Sequence, residues 1–541
     1  MEATSIVLIS LLSVVLSGFV SRVTRLPVPL VQIALGAAIF YSNLTSAVLD
    51  PQVFFLLFLP PLLFLDGWRI PKDDLFRDAS TVLKLALGLV VFTVLGMGFF
   101  IHWLIPAMPL AVSFALAAVI SPTDPIAVSA IAGRARIPPR LMHILQGEAL
   151  LNDASGLVCM RFAVAAALTG SFSLPHALAT FLWVAIGGLA IGAGIAWLLV
   201  NLTSSALVRF GEDGSAQILI TLLIPFGVYL LAEEVHASGI LAAVAAGVTM
   251  SFTKLSQWRA STRLSRTAVW DTVQFAANGS IFVLLGEQIP ALLQRTPQTV
   301  HGVALKALWW PALYVGVIVV ALAALRFAWV WTSLRLTSLR AQHRGAITPP
   351  ASWRLVLAIS LAGVRGAVTL AGVLTLPLTM SDGTPFPTRD LAVLLAAGVI
   401  VVSLVLATVG LPRVLRGLDL PVESPHKQAE NRARTAGAEA GILAIEKAQL
   451  AMADHPDSAR HADIAKRIVD MYQLRIGRYA GADDAATLRA EDDDIERRLR
   501  LVGLRAERSE ILGPNHRHGV GDLALRAIVR ELDLQETRYG G

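Results

Sequence analysis

Long apolar runs separated by short polar stretches fill the chain from about residue 4 to residue 415. A helix needs about 20 mostly apolar residues to cross a bilayer. Thirteen candidate spans fit, at about 4–20, 28–48, 53–68, 80–104, 108–132, 140–168, 177–202, 215–233, 237–252, 269–290, 306–333, 353–378 and 391–415. Beyond them the pattern changes. Ala436–Met471 and Asp484–Leu512 are rich in helix formers and carry apolar residues at three- and four-residue spacing, which predicts a small helical bundle in water. The expected organisation is an all-α polytopic membrane domain over residues 1–417 and a helical cytoplasmic, regulatory tail over residues 418–541. No Gly/Ser linker joins them.

Composition supports the membrane reading. Of 541 residues, 55% are hydrophobic and only 16% charged, against about 25% charged in soluble domains. Disorder needs the opposite balance. Cys159 is the only cysteine, so a disulfide framework is excluded. The net charge of +6 is better explained by basic cytoplasmic loops than by a nucleic-acid partner, and none is expected. Residues 1–417 hold 26 Lys and Arg against 17 Asp and Glu, a net +9; the rest holds 19 against 22, a net −3.

Loop charge sets the expected orientation. The start, Met1–Thr4, lacks the basic region of a signal peptide, and Arg22 and Arg25 follow the first apolar run. With the N-terminus outside, the inner loops carry 16 basic residues and the outer loops only Arg295, Lys306 and Arg389, as the positive-inside rule requires. An odd span count leaves the tail in the cytoplasm behind Arg413 and Arg416. The expected location is the plasma membrane, with lipid as the surrounding partner.

Charges at membrane depth are costly and mark function. Asp124, Glu148, Asp153, Arg161, Arg326 and Arg365 lie within spans. Asp66, Lys84, Glu233, Glu234, Asp271, Glu287 and Arg354 lie near span ends and read as anchors reaching the interface. In Ser121-Pro122-Thr123-Asp124-Pro125, two prolines remove backbone donors and break the fifth span around an acid. Broken helices at that depth are tolerated when buried in protein or lining a cavity, and transporter ion sites are built this way. In Gly147–Asp153, Glu148 and Asn152 share a helix face and Asp153 lies about 100° round. A carboxylate buried without a partner resists ionisation, so it can exchange protons near neutral pH. In Gly363–Ala367, two glycines flank Arg365 and allow local unwinding. The arginine needs an acidic partner, with Glu148 or Asp124 expected, and Arg326 stands as a second basic member of that core ion pair. The two interruptions are seven spans apart and therefore run in opposite directions, which fits inverted repeats of spans 1–6 and 8–13.

Together these segments resemble the monovalent cation:proton antiporter family 1, the sodium/proton exchangers of bacterial type. The likeness rests on Ser121–Pro125 with Ile126-Ala127-Val128, on Gly147–Asp153, on Phe275–Gly279 and on Gly363–Ala367, with Pro60–Phe64 and Ala232–Gly239 in support. It covers nearly the whole membrane domain in order. The resemblance implies a thirteen-helix fold with broken crossing helices, a dimerisation part and a mobile core, hence a homodimer. It implies Asp153 as the carboxylate that binds Na+ (or another monovalent cation) or a proton, and Asn152 as the neutral neighbour of electroneutral exchangers. Thr123 would offer an oxygen, Asp124 would lie beside the ion, and Glu148 and Arg365 would brace the core, with Glu148 also near the cation. Ala149 stands where many relatives carry a serine that can offer an oxygen. No cofactor is expected beyond the transported ions, and any regulator of the tail is unidentified.

The expected function is thus secondary active exchange of Na+ or Li+ for H+ by alternating access. K+ for H+ is the nearest alternative; an uncoupled cation channel and an intramembrane aspartyl protease are more distant ones. A P-loop, a Gly-x-Ser-x-Gly elbow and a His-Glu-x-x-His motif are all absent, so an ATP-driven pump or an enzyme is not expected.

Overall fold

A computed structural model describes residues 2–42, 51–69, 88–124, 139–169, 174–210, 213–252, 260–299, 309–343, 353–380, 382–416, 424–452, 458–479, 483–512, 528–529 and 531–536. Two compact units appear along the chain, Met1–Asp419 and Leu420–Gly541. The described residues are almost wholly helical, with one isolated bridge between Thr379 and Pro385. In lipid the helix is the open-chain structure that satisfies every backbone donor and acceptor internally.

The first unit holds α1 (Glu2–Thr24), α2 (Val28–Tyr41), α3 (Pro51–Arg69), α4 (Val90–Leu104), α5 (Leu110–Ile120), α6 (Pro139–Thr169), α7 (Leu174–Phe210), α8 (Gly214–Glu234), α9 (Gly239–Ser251), α10 (Ala260–Thr299), α11 (Trp309–His343), α12 (Trp353–Leu361), α13 (Ala367–Leu374) and α14 (Arg389–Leu415). Among the described residues, six helices are long and apolar enough to cross a membrane, and further apolar helices are shorter. The chain is an integral membrane protein.

Helix ends are set by polar residues. Asp213 caps α8, accepting from the amides of Ser215 and Ala216 at 3.0 and 3.2 Å. Ser238 caps α9 by accepting from the Leu241 amide at 3.2 Å. Such caps satisfy amides that the first helical turn leaves open.

These helices sort into two bundles. In the first, α9 packs against α3, α7 and α8, and α10 packs against α1 and α2. The contacts are backbone to backbone. A Cβ on Gly36 would lie 1.9 Å from the Val283 carbonyl oxygen, and one on Gly286 would lie 2.0 Å from that of Ile33, so α2 and α10 touch in both directions. Gly247 meets Phe64 O on α3, and Gly192 meets Ala242 O on α9, at similarly forbidden distances. Small residues at membrane helix interfaces permit this approach. In the second bundle, α5 packs between α4 and α6, and α14 packs against α11, α12, α13 and α5. The bundles meet chiefly where α10 and α3 touch α13, α14 and α6.

Both expected interruptions lie in the second bundle. Helix α5 stops at Ile120, and Ser121–Asp124 is irregular; Pro125 and the Ile126–Val128 stretch lie outside the described residues. The twelfth candidate span is two short helices, α12 and α13, joined by the non-helical Ala362–Gly366.

In the second unit, α15 (Ser424–Ala451), α16 (Ser458–Tyr479) and α17 (Asp483–Leu512) follow. The stretch 436–471, read from sequence as one helical region, is divided between α15 and α16, which pack together with Gly441 against Tyr472. Arg508 on α17 pairs with Asp533 at 2.6 Å.

Candidate cation-binding site

The two interruptions touch each other. The amide of Asp124 donates to the carbonyl of Val364 at 2.7 Å. Gly366 is the N-cap of α13, and a Cβ there would stand 1.7 Å from Asp124 Oδ2. The Asp124 carboxylate is therefore packed against the start of α13, where open amides and the helix dipole favour negative charge. Only glycine leaves it room.

Arg365 serves the opposite ends. Its Nε donates to Ile120 O, at the end of α5, at 2.9 Å, and its Nη1 donates to Gly363 O just beyond α12. Its amide donates to Ser403 Oγ on α14 at 3.2 Å. These hydrogen bonds of Arg365 thus go to carbonyls and a hydroxyl, while Glu148 acts on it electrostatically. A broken helix exposes its last carbonyls, and a buried guanidinium with five donors fits them while offsetting the negative helix ends.

Glu148 pairs instead with Arg326 of α11, Oε1 to Nη1 at 2.6 Å and Oε2 to Nη2 at 2.8 Å. Both side chains are almost fully buried, at 1% and 4% exposure. Arg326 also donates from Nε to Ile359 O at 3.2 Å. This fork-to-fork geometry occupies both carboxylate oxygens. Glu148 and Arg326, both named in the expected core ion pair, thus bond each other directly.

Thr123, Asn152 and Asp153 are buried. Asn152 Nδ2 donates to Thr123 Oγ1 at 3.0 Å, and Thr123 Oγ1 makes a long 3.5 Å contact to Glu148 Oε1. A hydroxyl has one proton and two lone pairs. With the proton turned to Glu148 and one lone pair taken by Asn152, one lone pair is left for a ligand. Asn152 Oδ1 and Ser121 Oγ are buried without a hydrogen-bond partner among the described residues. Buried oxygens of this kind need an explanation in a native structure, and a cation or water beside them would supply it.

Asp153 interacts electrostatically with both Asp124 and Asp66, and Asp66 in turn with Asp124. Among the described residues, no three His, Cys, Asp or Glu side chains converge closely enough to hold a metal ion. The three acids therefore share a field without sharing one ligand shell.

Asp66, near a span end and able by position to reach the interface, is partly exposed and interacts electrostatically with Asp124 and Asp153. Around it on α3, Leu59, Leu62, Leu63, Phe64 and Leu65 are buried, a packing that the apolar run alone does not show, since an all-apolar helix can face lipid as well as protein. Arg161, expected within the sixth span, pairs with Glu233 and is 41% exposed. Ala149 is buried and offers no oxygen.

Comparison with known proteins places this arrangement. The family model described as sodium/hydrogen exchanger, transmembrane, matches residues 8–417. The chain belongs to the sodium/hydrogen exchanger family. Among similar exchangers, the uncharacterized Na(+)/H(+) exchanger YjcE of Escherichia coli is 40% identical over 548 residues, covering 99% of each chain. The sodium, potassium, lithium and rubidium/H(+) antiporter of Bacillus subtilis is 42% identical over 421 residues, 76% of this chain and 61% of the relative. The solved structure of the sodium proton antiporter MjNhaP1 from Methanocaldococcus jannaschii is 19% identical, covers 77% of this chain and 99% of its own, and superposes with a TM-score of 0.59. That likeness is one of fold. The exchanger family carries out transmembrane antiport of ions and is not a family of enzymes, so the protease alternative falls away.

Proposed function

We propose that the protein exchanges Na+ or a related monovalent cation for H+ without net charge movement, with Asp153 taking either the cation or the proton. The observation that carries this reading is the division of labour among the buried acids. Glu148 is neutralised by Arg326 and Asp124 is seated on the start of α13, whereas Asp153 is buried within the field of Asp124 and Asp66. One carboxylate cannot hold a proton and a cation together. If only the loaded, neutral form crosses, exchange follows.

Na+ is a hard cation that takes oxygen ligands. Asp153, Asp124, Thr123 Oγ1 and the open Oδ1 of Asn152 supply oxygens, and Asp66 adds negative charge nearby. Alternating access comes from movement of the second bundle against the first. We further read thirteen crossings built as inverted repeats, a homodimer in the plasma membrane, the N-terminus outside and the tail in the cytoplasm as a regulatory unit.

A second reading widens the cation to K+. The Bacillus subtilis relative is named for sodium, potassium, lithium and rubidium, and Ala149 removes one candidate oxygen from the ring around the ion.

The test is proton flux in proteoliposomes on addition of Na+, Li+ or K+. Wild type should show cation-driven pH change, Asp153→Asn none, and Asp124→Ala a severe loss, with both variants folded. Undiminished exchange by Asp153→Asn would remove Asp153 from the mechanism. Flux that ignores the proton gradient would point to a channel.

A further inference from the structure

A cavity of about 580 Å3 lies between the two bundles, lined by Leu157, Met160 and Arg161 of α6, Tyr229 and Glu233 of α8, and Thr375 at the end of α13. Asp153, Leu157 and Met160 follow one another at four and three residues along α6, so they share one helix face. The cavity thus begins one turn from Asp153, with Leu157, 2% exposed, as its floor. At its wall, Arg161 Nη2 donates to Glu233 Oε1 at 2.8 Å. The same oxygen accepts the amide of Gly239, the first residue of α9, at 3.1 Å. The pair therefore ties α6, which carries Asp153, to the junction of α8 and α9 in the other bundle.

We propose that the Arg161–Glu233 ion pair is a gate between the two bundles, which closes this cavity when formed and admits a cation along α6 to Asp153 when broken. Three features support it. The pair links bundles that otherwise meet mainly through other helices, so it must part if α6 moves against α8. Its side chains are 41% and 33% exposed and line the cavity, so the pair is far less enclosed than the buried Glu148–Arg326 pair. The charges also have opposite consequences for a cation. Arg161 alone repels it, whereas Glu233 freed from Arg161 is the first carboxylate it meets.

The inference rests on the exchange reading above, and the test separates the two. In proteoliposomes, Glu233→Gln leaves the Arg161 charge unopposed and should raise the KM for Na+ by roughly threefold at low ionic strength, with kcat largely kept. Arg161→Gln should lower it by a similar factor. The exchanged pair R161E/E233R should return near the wild-type KM, and the opposite shifts of the two single variants are what a merely structural pair would not produce. As a second readout, Arg161→Cys and Glu233→Cys are combined in a Cys159→Ser background, which removes the only native thiol. A short bifunctional thiol reagent should arrest exchange, and a reductant that releases the link should restore it. Unchanged KM values in both Gln variants, or full exchange by the cross-linked protein, would overturn the gate. Asp153→Asn run alongside reports on the exchange reading itself: active Asp153→Asn defeats that reading, whereas silent Asp153→Asn beside unaffected gate variants defeats only the gate.

Discussion

The two bundles of the membrane unit share close glycine contacts but differ in the bonds that cross between their helices. In the first, α2 meets α10, α3 meets α9 and α7 meets α9 through glycines pressed on carbonyl oxygens. Nothing there can slide without a clash, because close-packed backbones have no intermediate positions. In the second, two helices are interrupted, their ends are joined by Arg365 and by the Asp124 amide, and the Glu148–Arg326 pair ties α6 to α11 beside them. Every titratable side chain of the proposed site except Asp66 belongs to this second bundle. In the proposed mechanism the tightly packed bundle supplies a wall, and the bundle with broken backbone supplies the chemistry. A transporter needs that division, since a site must move as a unit against something that does not.

The sharpest way to break the comparison is to remove one partner of the buried pair. Glu148→Ala leaves the Arg326 charge with no counter-ion in the protein interior, which costs about 3–5 kcal/mol. Its melting temperature in detergent should fall well below that of Asp153→Asn, which loses exchange but keeps its fold. Equal melting of the two would mean that the second bundle is not held by this pair.

Next in size is a pair of substitutions on α7. A Cβ on Gly192 would stand 2.0 Å from Ala242 O, whereas one on Gly194 meets nothing within 4 Å. Gly192→Ala should cost about 1–3 kcal/mol by overpacking. Gly194→Ala should be neutral or stabilise by up to about 1 kcal/mol, since alanine is the better helix residue. Thermal melts of the two variants decide whether the glycine contacts are what make this bundle stiff. In the second bundle, Gly366→Ala tests function more than stability. The methyl group must displace the Asp124 carboxylate from the start of α13, so a several-fold rise in cation KM is expected, read from exchange at graded Na+.

Much of this contrast was legible in the sequence, and the rest was hidden for definable reasons. Pro122 and Pro125, and the glycines around Arg365, announced both interruptions, because proline and glycine act on the backbone that carries them. Spacing placed Glu148 and Asn152 on one face. Partner choice is tertiary and could not be read that way. Two basic residues, Arg326 and Arg365, were available to Glu148, and only the fold shows that one meets carbonyls and the other the carboxylate. The electrostatic link of Asp66 to Asp124 and Asp153 is likewise tertiary, since distance from a helix end decides snorkelling only where that end faces lipid or water. The reciprocal glycine contacts of α2 with α10 join residues about 250 apart, far beyond any local periodicity.

The smallest expected effect uses the same pair of charges in the opposite setting. Arg69 at the end of α3 bonds Asp271 of α10, with Nη1 also donating to Gln274 Oε1 at 2.7 Å. Here the side chains are 38% and 58% exposed. Water competes for both ions and salt screens them, so such a pair is worth about 0–1 kcal/mol. Asp271→Asn should shift the melting temperature barely at all and leave exchange intact, and raising the salt should erase even that shift. The Glu148–Arg326 pair, out of reach of salt, should show no such dependence. A large, salt-insensitive loss in Asp271→Asn would place this contact in a dry environment and make ionic bonds as important to the first bundle as its glycines.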